Sequence, residues 1–327
     1  MAEEETLDRH LTIEALRAAE FAAIAAAKFI GKGDERQANE VAAEAMRSAL
    51  NLLAINGKIV IGEGERGEVS MLYIGENVGN GSGPDADIAV DPLEGATITA
   101  IGGSNAMSVV AFSEPGGLLN VPDVYMDKLA IGGGLPSGLI DLDEPPADNV
   151  RAVASARGIE TSDVMACILN RPRHEEIIAK VREAGARVCL IPDGDVAGVI
   201  ATSTPASGID IYLGIGGAPQ GVLAAAALRC VGGQMQARLV LRNEDERTRA
   251  HALGIDDLNR KYELSDLAHS NVIFAATGVT SSNMLDGIRR DGGIVTTHSL
   301  VLCSGTGTMR WIRSRWDLSS SPLLEDS

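Results

Sequence analysis

Val164-Met165-Ala166-Cys167-Ile168-Leu169 is an unbroken apolar run of strand length, and the residues after it decide the fold class. Asn170-Arg171-Pro172-Arg173-His174 breaks the run with polar residues and a proline. Glu175 to Ala184 then reads as a helix closed by Gly185, and Val188-Cys189-Leu190-Ile191 is a second strand. Strand, helix and strand in close succession is the unit of layered α/β proteins, in which helices cover the faces of sheets.

The same grammar extends in both directions. Leu16, Ala19, Ala23, Ala26 and Phe29 recur at helical spacing, which predicts a helix over 11–31 stopped by Gly31. Val41, Ala45, Met46 and Leu50 predict another over 38–51. Strands are expected at 58–61, 88–90 and 108–112, a helix at 147–158 after Pro145-Pro146, a short strand at 209–212, an apolar helix at 222–228 and a late strand at 272–276. The alternation becomes regular after the proline pair. The chain is therefore expected to divide into an N-terminal half, 1–155, and a C-terminal half, 156–327, with a Ser-rich disordered tail after Leu318.

Composition narrows the function. At 45% hydrophobic over 327 residues the chain can bury a large core, and with 3% aromatics that core must rest on Val, Ile, Leu and Ala. No apolar run approaches the roughly 20 residues that span a bilayer. Met1-Ala2-Glu3-Glu4-Glu5 has the wrong charge for a signal or transit peptide. A formal charge of −17 repels nucleic acid and offers no polybasic membrane patch, so the expected partner is a small molecule. Cys167, Cys189, Cys230 and Cys303 are widely spaced, which points to reduced thiols and the cytoplasm.

Acidic residues gather where strands end. Val90-Asp91-Pro92-Leu93-Glu94-Gly95 offers two carboxylates on a turn that proline stiffens, and Glu63 and Glu65 stand between glycines after another strand. Hard divalent cations take oxygen ligands on a fixed frame; solvated turn acids are the alternative. Arg171 and Arg173, before a helix, suit a phosphate clamp, or a plain basic turn. Asp193-Gly194-Asp195 can bind sugar hydroxyls or be an ordinary turn. In Gly214-Ile215-Gly216-Gly217-Ala218-Pro219-Gln220-Gly221 the glycines let backbone N–H groups approach an anion, although no Walker lysine follows. A serine hydrolase elbow and a His-x-x-x-His zinc pair are both missing.

Taken in order, Gly31-Lys32-Gly33-Asp34, Ile61-Gly62-Glu63-Gly64-Glu65, Met71-Leu72-Tyr73-Ile74-Gly75-Glu76, Asp91-Pro92-Leu93-Glu94-Gly95, Pro122-Asp123-Val124-Tyr125-Met126, Arg171-Pro172-Arg173-His174, Asp193-Gly194-Asp195 and Gly216-Gly217-Ala218-Pro219 resemble the class II fructose-1,6-bisphosphatases, from about residue 11 to 313. The resemblance implies an α-β-α-β-α layered sandwich. It implies hydrolysis of the 1-phosphate of fructose 1,6-bisphosphate with Mn²⁺ or Mg²⁺, in gluconeogenesis, by a homo-oligomer. It assigns Glu63, Asp91 and Glu94 to metal and catalysis, and Glu94, Gly95, Tyr125, Arg171, Arg173, Asp193, Asp195 and Gly217 to the substrate.

The departures concentrate at chemical positions. Glu35 stands where the family pattern has lysine, Asn39 where it has a metal-binding aspartate, Ala96 where it has threonine and Gln220 where it has a metal-binding glutamate. Asn39 and Gln220 keep an oxygen but lose a charge, so they are expected to be weakened metal ligands. Ala96 removes a hydroxyl that would orient the attacking water, a loss on the order of 10²–10³ in rate by analogy with other positioned donors. The alternative to a working phosphatase is a silent paralogue that binds a sugar phosphate without turning it over.

Overall fold

The computed structural model describes residues 8–320. From residue 321 the expected tail lies outside the described residues, and Leu318–Ser320 form a 3-10 turn. The chain divides into two compact units, one running to Leu118 and resuming at Ser270, the other Leu119–His269. The expected division at 155/156 instead falls inside a helix of the second unit, Pro146–Arg157. A composition change along the chain marks no boundary when the last segment returns to the first unit.

The first unit begins with α1 (Asp8–Ala26), α2 (Glu35–Leu50), β1 (Asn56–Ile61), β2 (Asn77–Val78), β3 (Asp85–Glu94), α3 (Ala96–Ile101) and β4 (Met107–Ser113). The second contains β5 (Tyr125–Ile131), α4 (Pro146–Arg157), β6 (Met165–Leu169), α5 (Glu175–Glu183), β7 (Arg187–Ile191), α6 (Asp195–Ala201), β8 (Ile211–Gly217), α7 (Ala218–Val231), β9 (Gln234–Val240), α8 (Glu244–Ala252), β10 (Tyr262–Glu263) and α9 (Leu264–Leu267). The chain then re-enters the first unit as β11 (Val272–Gly278), β12 (Arg289–Asp291), β13 (Ile294–Cys303) and β14 (Thr308–Asp317).

In the first unit the strand order is β12-β13-β11-β4-β3-β1-β2, with β14 on the other side of β13. Only β1 and β3 pair in parallel, so the sheet is mixed. Ile88, Val90, Val110, Phe112, Ile273, Ala275 and Val301 face one core with α1 and α2. Ala15, Ala18, Ala19, Ala22 and Ala23 are all fully buried, and such small side chains let α1 approach the strands closely. Each buried Ile, Val or Leu here contributes about 1.5–3 kcal/mol. The helix expected over 11–31 ends early. A 3-10 turn, Ala27–Phe29, follows, and Gly31 at φ +72° donates its N–H to Thr99 O at 2.9 Å.

In the second unit the order is β10-β9-β5-β8-β6-β7, also mixed, with β6 parallel to both β7 and β8. Leu129, Ile131, Ala166, Ile168, Ile211 and Leu213 share a core with Val150, Val153 and Val181 of α4 and α5. The alternate residues of β5 and β8 face α6 and α7: a Cβ on Gly198 would touch the Tyr212 ring at 3.1 Å, and one on Gly221 would lie 2.5 Å from Met126 Sδ. Both units are therefore of the expected α/β class. Among the described residues no helix is long and apolar enough to cross a membrane.

Candidate active site

The first unit holds the carboxylates. Asp34 caps α2 by accepting the Gln37 N–H at 3.0 Å, which sets Glu35 at its first position and Asn39 one turn on. Glu35 Oε2 accepts the Thr97 hydroxyl at 3.1 Å. Asn39 Nδ2 donates to Glu63 Oε2, so its amide nitrogen meets the carboxylate and Oδ1 remains the atom that can touch a cation.

Glu63 is held by a backbone crossing. Its N–H donates to Leu72 O at 3.0 Å. A Cβ on the preceding Gly62 would fall 2.0 Å from that same oxygen, so only glycine fits. Leu72 is fully buried with φ at +52°, an uncommon conformation for a bulky residue. Its N–H donates to Glu76, which pairs with Arg47 Nε at 2.6 Å.

Asp91 and Glu94 were expected on a turn. They belong instead to β3, whose pairing with β4 shifts register between them. An irregularity of that kind sets two residues of β3, Pro92 and Leu93, against one of β4, Ser108, and the one extra residue re-aims the side chains beyond it. Both acids are buried, at 8% and 4% exposure. Gly95 follows at φ +91°, and its carbonyl accepts both the N–H and the hydroxyl of Thr99, at 2.9 and 3.1 Å.

Buried carboxylate oxygens are the donors a hard cation neutralises. Among the described residues, however, no three His, Cys, Asp or Glu side chains stand close enough together to hold one. Glu63 with Asn39, and Asp91 with Glu94, fit the pattern in which Mg²⁺ or Mn²⁺ takes one or two carboxylates and completes its shell with water and phosphate oxygens. They do not fit a preformed three-carboxylate cage.

Of the residues expected at the substrate, Glu94 and Gly95 lie in the first unit, and Tyr125, Arg171, Arg173, Asp193, Asp195 and Gly217 lie in the second. Tyr125 opens β5 and pairs across the sheet with Gly217, the last residue of β8. Its ring carries the Arg173 guanidinium at 4.8 Å and that of Arg242 at 4.6 Å. Arg173 also donates two N–H groups to Ile215 O, at 3.0 and 2.7 Å. Arg171 lies 3.9 Å from Asp193, in ion-pair range. Asp195 is the first residue of α6, buried, and pairs with Lys128; Lys128 Nζ also donates to Gly217 O at 2.9 Å. Arg171 with Asp193, and Arg173, Tyr125, Gly217, Lys128 and Asp195 in a chain of contacts, occupy one region of this unit.

His174 fixes that region rather than reacting in it. Its ring is fully buried, with Nδ1 2.8 Å from Leu169 O and Nε2 accepting the Ile215 N–H at 2.8 Å. Accepting at Nε2 requires the neutral ring, with the proton on Nδ1. Burial holds its pKa below the ordinary imidazole value, outweighing the two backbone bonds. His174 and Arg173 thus hold the N–H and the carbonyl of Ile215, which belong to the peptide groups on either side of its Cα.

Sequence reasoning missed Lys128 and Arg242. Arg242 follows β9 and precedes α8, the same position between strand and helix that singled out Arg171 and Arg173. Lys128 carried no signal, because a lysine is ordinarily exposed and nothing local marks this one as buried.

Known proteins share this sequence pattern along almost its whole length. The family described as bacterial fructose-1,6-bisphosphatase, glpX-encoded, matches residues 9–316. A fructose-1,6-bisphosphatase 1 class 2 of Escherichia coli strain K12 is 47% identical over 320 residues, covering 94% of this chain and 95% of that protein. A fructose-1,6-bisphosphatase class 2 of Shigella flexneri matches with the same identity and coverage.

Proposed function

This chain belongs to the family of bacterial, glpX-encoded fructose-1,6-bisphosphatases, and on that premise we propose that it hydrolyses the 1-phosphate of fructose 1,6-bisphosphate to fructose 6-phosphate and phosphate. The observation that carries the reading is the region around Tyr125, where Arg171 and Arg173 stand beside Asp193 and Asp195, cations for a phosphate next to acceptors for sugar hydroxyls.

In this reading Glu63 with the amide oxygen of Asn39, and Asp91 with Glu94, would hold Mn²⁺ or Mg²⁺, the amide being the weaker ligand. A bound divalent ion supplies electrostatic stabilisation to the charge that develops as the phosphoryl group transfers to water. Arg171 and Arg173 take the phosphate that does not react. A guanidinium has five N–H donors, and Arg173 uses two on Ile215 O, so its fork can serve backbone and phosphate together. Tyr125, lodged between Arg173 and Arg242, keeps the Arg173 fork from swinging into solvent. Asp193 and Asp195 accept sugar hydroxyls and so fix which phosphate is presented for transfer. No group of the protein becomes phosphorylated. The reading places the reaction in the cytoplasm, in gluconeogenesis, in a homo-oligomer; four free cysteines support the compartment.

The test is release of phosphate from fructose 1,6-bisphosphate by the purified protein with Mn²⁺ and with Mg²⁺, against the same protein in chelator. Turnover that needs metal and falls at least tenfold in Glu63→Gln, Asp91→Asn and Glu94→Gln is expected. Absence of phosphate release at high enzyme and metal concentration sinks the reading.

A further inference from the structure

We propose that Lys128 is a positioning residue for the sugar, acting through Asp195 and Gly217; this rests on the sugar-phosphatase reading. A lysine at 1% exposure is rare, because burying an ammonium is costly unless charge and hydrogen bonds compensate it. Here Nζ pairs with Asp195 and donates to Gly217 O at 2.9 Å. Those two partners come from α6 and the end of β8, and both are residues assigned to the substrate.

The glycines around it are shaped by this pair. A Cβ on Gly216 would lie 2.0 Å from Asp195 Oδ2 and 2.8 Å from Lys128 Nζ, and one on Gly221 would lie 3.3 Å from Lys128 Cδ. The glycine-rich segment therefore does more than open its backbone to an anion. Glycines at 216 and 221 clear a slot in which the lysine stem runs between β8 and α7.

The chemistry follows from charge. Asp195 must present a carboxylate oxygen to a neutral hydroxyl while a substrate with two phosphates lies nearby. A fixed ammonium on its other oxygen cancels the repulsion and holds the carboxylate in one orientation. The same ammonium, by gripping the Gly217 carbonyl, sets the plane of the Gly217–Ala218 peptide group. Lys128 touches no reacting atom in this scheme.

Steady-state kinetics on fructose 1,6-bisphosphate with Mn²⁺ test it, using wild type, Lys128→Met, Asp195→Asn and Lys128→Met/Asp195→Asn, with thermal unfolding of each. Lys128→Met should raise KM about 10²-fold, the loss of one buried charged partner, with a much smaller change in kcat. The Mn²⁺ concentration for half-maximal activity should not move, whereas a general loosening of the protein would shift it. The double variant should lose much less than the product of the two single losses, because once Asp195 is neutral only the Gly217 contact is left for removal of Lys128 to disturb. If Lys128→Met does not fold, the double variant, which leaves no unpaired buried charge, is compared with Asp195→Asn alone. A Lys128→Met KM within about threefold of wild type, or a double variant in which the two losses multiply, overturns the proposal. Wild type that releases no phosphate overturns the phosphatase reading itself, and this inference with it.

Discussion

Thr97 donates its hydroxyl to Glu35 across 62 residues of sequence, at 3.1 Å. The two belong to the opening turns of α3 and α2, and both are exposed. Glu35 stands where the family pattern has lysine, and Thr97 follows the alanine that stands where it has threonine. One departure, Glu35, is thus hydrogen-bonded to the residue that directly follows another, Ala96.

Glu35→Lys is therefore expected to lower KM for fructose 1,6-bisphosphate about three- to tenfold at low ionic strength, by replacing a repelling charge with an attracting one. The gain should shrink as salt rises, since exposed charges are screened within about 10 Å at 0.1 M. Stability should fall by only a few tenths of a kcal/mol, roughly the value of an acid in a first helical turn. Kinetics at two salt concentrations, with urea unfolding, measure both.

Asn39→Asp should behave oppositely with and without metal. Without it, a donor amide becomes a carboxylate facing Glu63, and about 1–3 kcal/mol is lost as the hydrogen bond gives way to like-charge repulsion. With Mn²⁺ the added charge becomes a ligand, and the concentration for half-maximal stabilisation should drop about tenfold or more. Thermal unfolding in chelator and across an Mn²⁺ titration reads both; a variant that unfolds earlier under every condition contradicts the expectation.

His174 makes the second unit sensitive to acid. Burial depresses its folded-state pKa below the ordinary value of about 6.5. The unfolded chain therefore binds the proton more readily, and the His174 contribution is lost as pH falls below about 6.5 toward the folded pKa. His298, in β13 of the first unit, is also depressed by burial and gives that unit a slope of the same sign. His174→Gln, which can still accept from Ile215 N–H, should flatten the dependence, while His174→Ala should cost about 2–4 kcal/mol at neutral pH by orphaning two backbone groups. Urea unfolding at pH 7.5, 6 and 5 separates these outcomes.

Gly62→Ala tests the crossing that holds Glu63. With the new Cβ 2.0 Å from Leu72 O, the backbone must move, and a loss of about 3 kcal/mol or more is expected, together with weaker metal dependence of activity. Gly31→Ala is the control: a Cβ there meets nothing within 4 Å, so its cost is only that of a left-handed backbone, about 1–2 kcal/mol.

Some of this was legible along the chain. The strand at 165–169 and the helix at 175–183 lie within two residues of their expected bounds, because period and punctuation are local properties. β14 was not foreseen: Arg310, Trp311, Arg313 and Arg315 are exposed, and an exposed strand has no apolar run to announce it. Residues 270 onward return to the first unit because β11 pairs with β4, a long-range contact that no local pattern announces, and so the division falls at 118/119 and 269/270 rather than near 155.

The order of motifs by itself determined the family and the residue types of the site, since chemistry is written in side chains and their sequence is enough to recognise it. Only the tertiary structure decided which of those side chains meet. Lys128 reaches Asp195 from 67 positions away and His174 reaches Ile215 from 41. Such contacts depend on strand register and on how closely helices approach, and no local pattern encodes either. A lysine is ordinarily a solvent residue, and this one is buried against Asp195 only because glycines at 216 and 221 leave room for it beneath α7.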